Sequence, residues 1–346
     1  MSLLIDVAKL ANVSISTASR VLNGSAHPVS ADKRMRVLHA AQTLNYSPSA
    51  LAKAMVTGFS HIVGVIVGDA TDPYFAWIVR GVEDMARLHG YLVIVCNSDR
   101  NPEVELSYLN ALNDYRVDGV IFAGGGLNDE QYLAAMNQVL HVFQERNAIC
   151  ISLGKHLFRS YPVIVDNKQI IHSAVDYLVS LGHIRIAYIS GPGLLTTTEL
   201  RLDGYREALS AHKIKLDDSL ILDGNYKVES GYLAADRVHA MLEKPTAVLA
   251  SNDLMAIGCM SRLKELNYQI PGEISVMGID DIPFAQIVDP PLTTFALPMY
   301  DLGKVGMESL LKLHKGDKLD ENGIVLPHTL IVRRSTAPPR KSVFIV

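Results

Sequence analysis

From about His61 onward the sequence repeats one pattern. A short apolar run rich in β-branched residues is followed by a stretch of helical length with one apolar face. "IVGVIV" precedes an expected helix over Phe75–His89, "YLVIVC" one over Pro102–Tyr115, and "DGVIFAG" one over Glu130–Arg146, with "AICISL" after it. A second series begins at "PVIVDN". It continues with Gln169–Leu181, "IRIAYIS", Glu199–Ala211, "LILDG", Val228–Leu242, "AVLAS", Asp253–Leu266 and "ISVMGID". Short apolar runs that each feed a helix pack as parallel strands covered on both faces. Two such series predict two α/β lobes.

The rest of the chain narrows the function classes. Its 346 residues are 49% hydrophobic, enough for large cores and too many for disorder. No apolar run is long enough to span a bilayer, so no membrane partner is expected. Asp6 and Lys9 interrupt "MSLLIDVAKL", which does not read as a signal peptide; a cytoplasmic location is expected. Cys96, Cys150 and Cys259 are far apart in apolar runs and read as buried small side chains, not a zinc site or disulfide frame. The glycines of Gly124–Gly126 and Gly191–Gly193 lack nucleotide-binding spacing and read as turns. There is no nucleophile elbow, and the histidines are scattered; His183 reads as structural. We therefore expect no enzyme, no metal and no cofactor.

The first 60 residues differ from the rest in charge. They carry six basic and two acidic side chains, a balance of +4 within a chain of net charge −4. A cationic head on an anionic body suits a polyanionic partner. Val7, Ala8 and Ala11 form one helical stripe, and "ANVS" then turns the chain, with Ser14 placed as the N-cap of a second helix. On that helix Ala18, Val21 and Leu22 share one side, while Ser16, Ser19 and Arg20 share the other. Asn23–Gly24 ends it, and a third helix is expected from Ser30 to about Asn45. Two short helices across a tight turn, braced by a third, make a helix-turn-helix. Small residues inward, with short donors and an arginine outward, fit insertion into a DNA groove.

These residues carry a resemblance. "IDVAKLANVSISTASRVLNG" and "VSADKRMRVLHAAQTLNYSPSALAKAM" resemble the head of the lactose/galactose repressor family. The likeness continues through "DPYFAWIVRGVEDMARLHGY", "VDGVIF", "RLDGYREAL", "ASNDLMAIG", "ISVMGIDD" and "PPLTTF". It implies a helix-turn-helix head on a two-lobed body like periplasmic sugar-binding proteins, crossed three times by the chain. It also implies a homodimer on double-stranded operator DNA. Ser14, Ile15, Ser16, Thr17 and Arg20 would face DNA, with Ser19 and Asn23 beside them; Ile15 and Ser16 hold the positions that most vary operator preference. Leu3 departs from the usual threonine cap, and Ser2 is the expected substitute.

"SPSALAKAM", after Tyr46, has a cap at Ser47 and a proline at Pro48, but the helix is too short to persist alone. By resemblance it is a hinge helix that pairs across the dimer in the minor groove. Leu51 and Met55 share a face, and Met55 sits where the family wedges a leucine between bases.

Ligands of parallel sheets bind at the carboxyl ends of the strands. Asp72, Tyr74 and Phe75, then Arg201, Tyr226, Asn252, Asp253, Asp280 and Asp281 fall at such ends. An arginine, carboxylates, an amide and aromatic rings together describe a site for a small polar ligand. By resemblance Arg201, Asn252 and Asp280 would hydrogen-bond the effector, Phe75 and Tyr226 would contact its faces, and Asp72 would join them. Tyr74 divides between pocket and core; Asp253 reads as a helix N-cap, and Asp281 as a cap or structural acid. The expected function is a ligand-responsive repressor switched by a carbohydrate. Alternatives are a purine or nucleoside corepressor on the same fold, and a solute-binding protein with neither DNA nor catalytic role. Expected boundaries are head 1–46, hinge 47–60 and body 61–346. Lobe 1 is expected over 61–161 and 293–325, and lobe 2 over 162–292 and 326–340.

Overall fold

The computed structural model describes residues 2–23, 27–46 and 59–340. Contacts divide the chain into two compact units, residues 1–61 with 116–118, and residues 62–115 with 119–346. The first unit holds helices α1 (Leu4–Leu10), α2 (Ile15–Leu22) and α3 (Ala31–Thr43). Val7, Ala8, Ala11, Ala18, Val21, Val37, Ala40 and Ala41 form its core. Alanines and valines at the contacts let three short helices approach closely. Ser14 caps α2, its Oγ accepting from Thr17 N at 3.2 Å. Ser2 does not cap α1: its hydroxyl donates to Leu44 O at 2.9 Å, while the Asp6 carboxylate takes the Leu3 N–H at 2.9 Å. Asp6 thus supplies the reciprocal half of a capping box, while no side chain accepts at the Leu3 cap position itself.

Among the described residues the second unit holds twelve strands in two six-stranded sheets. Its first sheet contains β1 (Ile62–Val67), β2 (Leu92–Asn97), β3 (Gly119–Phe122), β4 (Ile149–Ser152), β5 (Tyr161–Val165) and β11 (Ile324–Leu326), in the order β11-β5-β4-β3-β1-β2. Its second contains β6 (Ile186–Ile189), β7 (Ile221–Leu222), β8 (Ala247–Ala250), β9 (Ser275–Asp280), β10 (Thr293–Ala296) and β12 (Thr329–Ile331), in the order β12-β10-β9-β8-β6-β7. All pairings are parallel except β10 with β12. The inner strands β1, β3, β6, β8 and β9 are buried on both faces, as their unbroken apolar runs require, whereas the edge strands β2, β11 and β12 are partly exposed.

Helices α4 (Pro73–Leu88), α5 (Pro102–Asp114), α6 (Glu130–Glu145) and α12 (Met299–His314) belong to the first lobe. Helices α7 (Asn167–Ser180), α8 (Thr196–Ala211), α9 (Val228–Ala240), α10 (Asp253–Glu265) and the single turn α11 (Phe284–Ile287) belong to the second. Helices α4 and α12 meet at glycines: a Cβ on Gly303 would lie 1.9 Å from Ile78 O, and one on Gly81 would lie 2.0 Å from Tyr300 O.

The chain crosses between lobes three times, after Val165, after Ala296 and after Leu326. Two expected lobe borders move. β5 pairs with β4 in the first sheet, so the first crossing follows Val165 instead of Tyr161. β10 pairs with β9, Thr293 opposite Met277, so Thr293–Ala296 belongs to the second lobe. An apolar strand reads the same whichever sheet it joins; only its pairing partners decide.

Candidate functional site

Turns at the carboxyl ends of the strands converge between the two lobes. They line a cavity of about 70 Å³. Since one water needs about 10–15 Å³, the cleft holds several waters or one small organic molecule.

On the lobe 1 side, Asp72 caps α4, its Oδ1 accepting from Tyr74 N at 2.9 Å. Burial pushes its carboxyl above the usual range, more strongly than that bond lowers it. Tyr74 lines the cleft and packs edge-on against Phe75, with ring centroids 5.1 Å apart, so it serves both pocket and core. Burial also pushes the Tyr74 phenol well up.

On the lobe 2 side, Arg201 sits in the second turn of α8, which begins at Thr196 and not at Glu199 as expected. Arg201 is 4% exposed. Its Nε donates to Asn167 Oδ1 at 2.8 Å, and Nη1 donates to Ser251 O. Nη2 lies 3.8 Å from Asp280 Oδ1, an ion pair without a hydrogen bond. Asp280 ends β9 with φ 120°, a backbone conformation that side chains rarely adopt. Its carboxyl is raised well above the ordinary value, because burial outweighs the attraction of Arg201 at that distance.

Tyr226 follows β7 with φ 66°, and its phenol oxygen is 3.0 Å from Thr198 Oγ1. Asn252, not Asp253, is the N-cap of α10. Its Oδ1 accepts from Met255 N at 3.0 Å, and its Nδ2 donates to Tyr226 O at 3.0 Å. Both ends of the amide are therefore engaged in holding Tyr226 and the helix. Asp253 is turned inward instead. It accepts from Thr294 Oγ1 at 2.6 Å and Ile282 N at 2.9 Å, and burial pushes its carboxyl up to about 7. Asp281 pairs with Arg333 Nη2 at 2.7 Å, a structural acid. His183 donates through Nε2 to Ala337 O at 3.0 Å, which leaves Nδ1 as acceptor for Thr246 Oγ1 at 2.9 Å. It clasps the chain's tail to lobe 2.

Several lining residues were not expected: Ser98, Arg100, Glu105, His156, Asn167 and Thr197. Glu105 lies in the first turn of α5, and the Tyr132 hydroxyl donates to it; burial raises its carboxyl. Its position on a polar helix start gave no sign that this face meets the cleft. Arg100 sits in a polar turn that reads as ordinary loop.

In the helical head, α2 exposes Ser14, Ile15, Ser16 and Arg20, with Ile15 48% exposed. Thr17, Ser19 and Asn23 are half-buried. Ser14 Oγ lies 2.9 Å from Ser16 Oγ and 2.8 Å from Thr17 Oγ1, and Asn23 Nδ2 donates to Ser19 Oγ at 3.1 Å. Asn23 closes α2 at φ −94°, so it does not itself take the left-handed step. Leu51 and Met55 lie outside the described residues.

Residues 3–49 match the family described as bacterial regulatory proteins, lacI family, and residues 175–336 match the periplasmic binding protein-like domain. The HTH-type transcriptional repressor PurR of Vibrio atlanticus (strain LGP32) is 34% identical over 336 residues, covering 97% of this chain and 98% of that protein. The chain belongs to the lacI family of bacterial regulatory proteins. Among solved structures it is similar to the lac repressor dimer bound to operator and the anti-inducer ONPF, with TM-score 0.82 and 28% identity, over 97% of this chain and 99% of that one. It is also similar to a LacI family transcriptional regulator from Enterococcus faecium with bound ribose, with TM-score 0.71 and 28% identity, over 81% of this chain and 100% of that one. The protein is thus a LacI-family transcriptional regulator with a helix-turn-helix head and a two-lobed α/β body. Among the described residues no helix is long and apolar enough to cross a membrane, and no cluster of side chains is suited to hold a metal ion.

Proposed function

We propose that this protein is a cytoplasmic, homodimeric repressor without catalytic activity that reads a palindromic operator with two copies of α2 and answers a small polar effector bound in its cleft. The observation that carries the reading is the buried, incompletely bonded Arg201–Asp280 pair at the floor of a cleft built from both lobes. Burying two charges without a mutual hydrogen bond is costly in a free protein and suits a ligand that completes the bonding. Arg201, Asp280, Asp72, Phe75 and Tyr226 contact the effector; Asn252 acts beside them by fixing Tyr226. A carbohydrate effector is favoured by the ribose complex of the Enterococcus faecium relative.

In the head, Arg20 contacts a base edge and Ile15 offers its apolar surface to a thymine methyl, with Ser16 between them. Ser14, Thr17, Ser19 and Asn23 fix the helix start and end and reach phosphates. Leu51 and Met55 enter the minor groove from the hinge.

The test is selection of duplexes from a random pool by the full-length protein, followed by binding at two salt concentrations. An enriched palindrome, bound with steep salt dependence and modulated by a ligand whose effect Arg201→Ala abolishes, is the expected result. Enrichment of no palindrome, or ligand response intact in Arg201→Ala, overturns the reading.

A further inference from the structure

Strand β2 ends in a turn whose backbone is unusual for the residues in it. Asn101 N donates to Ser98 O at 2.9 Å, and the two central residues, Asp99 and Arg100, have φ 51° and 57°. Turns with both central residues on the left-handed side are built mostly from Asn, Asp and Gly, and an Asp–Gly pair is among the most favoured. Here an arginine holds the position that glycine would fill with least strain. The turn is braced: Asn97 Nδ2 donates to Asp99 Oδ1 at 2.9 Å, and Asn97 Oδ1 accepts from Ala70 N at 2.7 Å. A strained residue held in place beside a cleft points to a use for its side chain.

That side chain reaches across the cleft. The Arg100 guanidinium carbon lies 5.6 Å from the centroid of Phe75, in lobe 1, and 5.5 Å from that of Tyr226, in lobe 2. Both distances are within cation–π range. Its stem runs so close to Gly68 that a Cβ there would lie 3.1 Å from Arg100 Cγ. No hydrogen bond to another described residue accompanies these stacking contacts, so the guanidinium donors remain for a ligand.

We propose that Arg100 is the specificity-determining residue of the cleft, covering the faces of Phe75 and Tyr226 against planar heterocycles and turning its donors toward a neutral, puckered polyol of monosaccharide size. The proposal rests on the cleft being the effector site. A planar base gains its affinity by stacking face to face on such rings, and here it has to displace the protein's own cation first. A polyol needs no ring face. Its hydroxyls accept from Arg100 and from Arg201 Nη2, and donate to the carboxylates of Asp72 and Asp280. Three carboxyl groups (Asp72, Glu105 and Asp280) share the cleft with the two guanidinium groups, a mixture of acceptors and donors that suits a ligand with many hydroxyls.

The test uses the full-length protein, thermal shift and calorimetry. Probes are D-ribose, D-glucose and D-galactose on one side, and hypoxanthine, guanine and adenosine on the other. Variants are Arg100→Gly and Asp280→Asn. We expect at least one monosaccharide, and none of the bases, to stabilise the wild type. Arg100→Gly is expected to weaken that monosaccharide at least tenfold and to admit hypoxanthine. Because glycine suits this φ, the ligand-free melting temperature of Arg100→Gly stays at or above that of the wild type. A base that stabilises the wild type and loses its effect in Asp280→Asn overturns the role of Arg100 and leaves the cleft as the effector site. Monosaccharide affinity unchanged in Arg100→Gly, or no monosaccharide binding at all, overturns that role too. A bound ligand indifferent to both variants overturns the cleft reading itself.

Discussion

Asp280→Asn separates ligand recognition from folding, because the residue's surroundings make opposite predictions for the two. In the folded protein its carboxylate makes no tight bond: its charged neighbour, Arg201 Nη2, is 3.8 Å away. Arg201 does not depend on it, since Nε and Nη1 are already held by Asn167 and the Ser251 carbonyl. Burial raises its carboxyl well above the ordinary value, Arg201 lowers it by less, and the nearby Asp253 and Asp72 raise it further. An asparagine keeps the shape and removes the buried charge. Breaking a tight buried ion pair costs about 3–5 kcal/mol; here the expected change in unfolding free energy is within about 1 kcal/mol of zero. The ligand-bound state differs, since a hydrogen bond to a charged acceptor contributes about 1.5–3 kcal/mol. That corresponds to a loss of roughly tenfold to 150-fold in effector affinity. Urea denaturation measures the first quantity, and calorimetry with the best-binding monosaccharide measures the second. Destabilisation of about 3 kcal/mol or more would identify Asp280 as a structural ion-pair partner and refute the reasoning.

Three further outcomes are expected. Arg20→Ala should cost about 1–3 kcal/mol on the selected operator and relax its sequence preference; equal loss on random duplex would mark a phosphate contact. Asp253, raised from 3.8 to about 7 by burial, favours folding while protonated, so its contribution is complete below 3.8 and is lost as pH rises toward 7. That contribution is no more than about 4 kcal/mol, and Asp253→Asn should flatten the stability profile between those pH values relative to the wild type; parallel profiles would contradict it. Gly303→Ala places a Cβ 1.9 Å from Ile78 O and should cost about 1–3 kcal/mol or more by forcing α4 and α12 apart, read as a lower urea midpoint; an unchanged midpoint would mean that the helices slide freely.

The alternation of apolar runs and amphipathic stretches was enough to read two parallel-sheet lobes, because burial on both faces leaves a local mark in every strand. Pairing leaves none. "PVIVDN" reads as a strand in either lobe, and its place in the first sheet depends on Ile151 opposite Tyr161. Sequence places the start of α8 at Glu199, three residues late, because "TTT" is a poor helix former. It begins at Thr196 because Thr196 N donates to Gly126 O at 3.0 Å and Thr196 Oγ1 to Lys155 O at 2.6 Å, both contacts from the other lobe. Asn252 and Asp253 are adjacent and equally able to cap; Thr294 and Ile282, far along the chain, draw Asp253 inward and leave the cap to Asn252. Arg201, Tyr226 and Asp280 were legible because strand ends mark the ligand side of a parallel sheet. Arg100 was not, since its turn is polar and its reach depends on a left-handed backbone that no composition rule assigns to arginine.

The division of these groups between lobes decides what a ligand can do beyond binding. Asp72, Phe75 and Arg100 come from the first lobe; Arg201, Tyr226 and Asp280 come from the second. The lobes also touch each other directly. Asn128 N donates to Leu194 O at 2.8 Å, Thr196 bonds Gly126 and Lys155, and Lys227 Nζ lies 3.8 Å from Asp69 Oδ2. The three hydrogen bonds are worth about 1 kcal/mol each. The Lys227 pair contributes less, since its lysine is 57% exposed. Part of this arrangement is therefore held by the protein itself, and an effector adds only its differential contact with the two lobes, typically 1–3 kcal/mol of coupling. A molecule that satisfies Arg201 and Asp280 alone gains nothing from closure, because both groups travel with the second lobe. It would occupy the cleft and leave the equilibrium where it was. Switching requires a second set of contacts on Arg100, Phe75 or Asp72, so affinity and response are separable properties of one site.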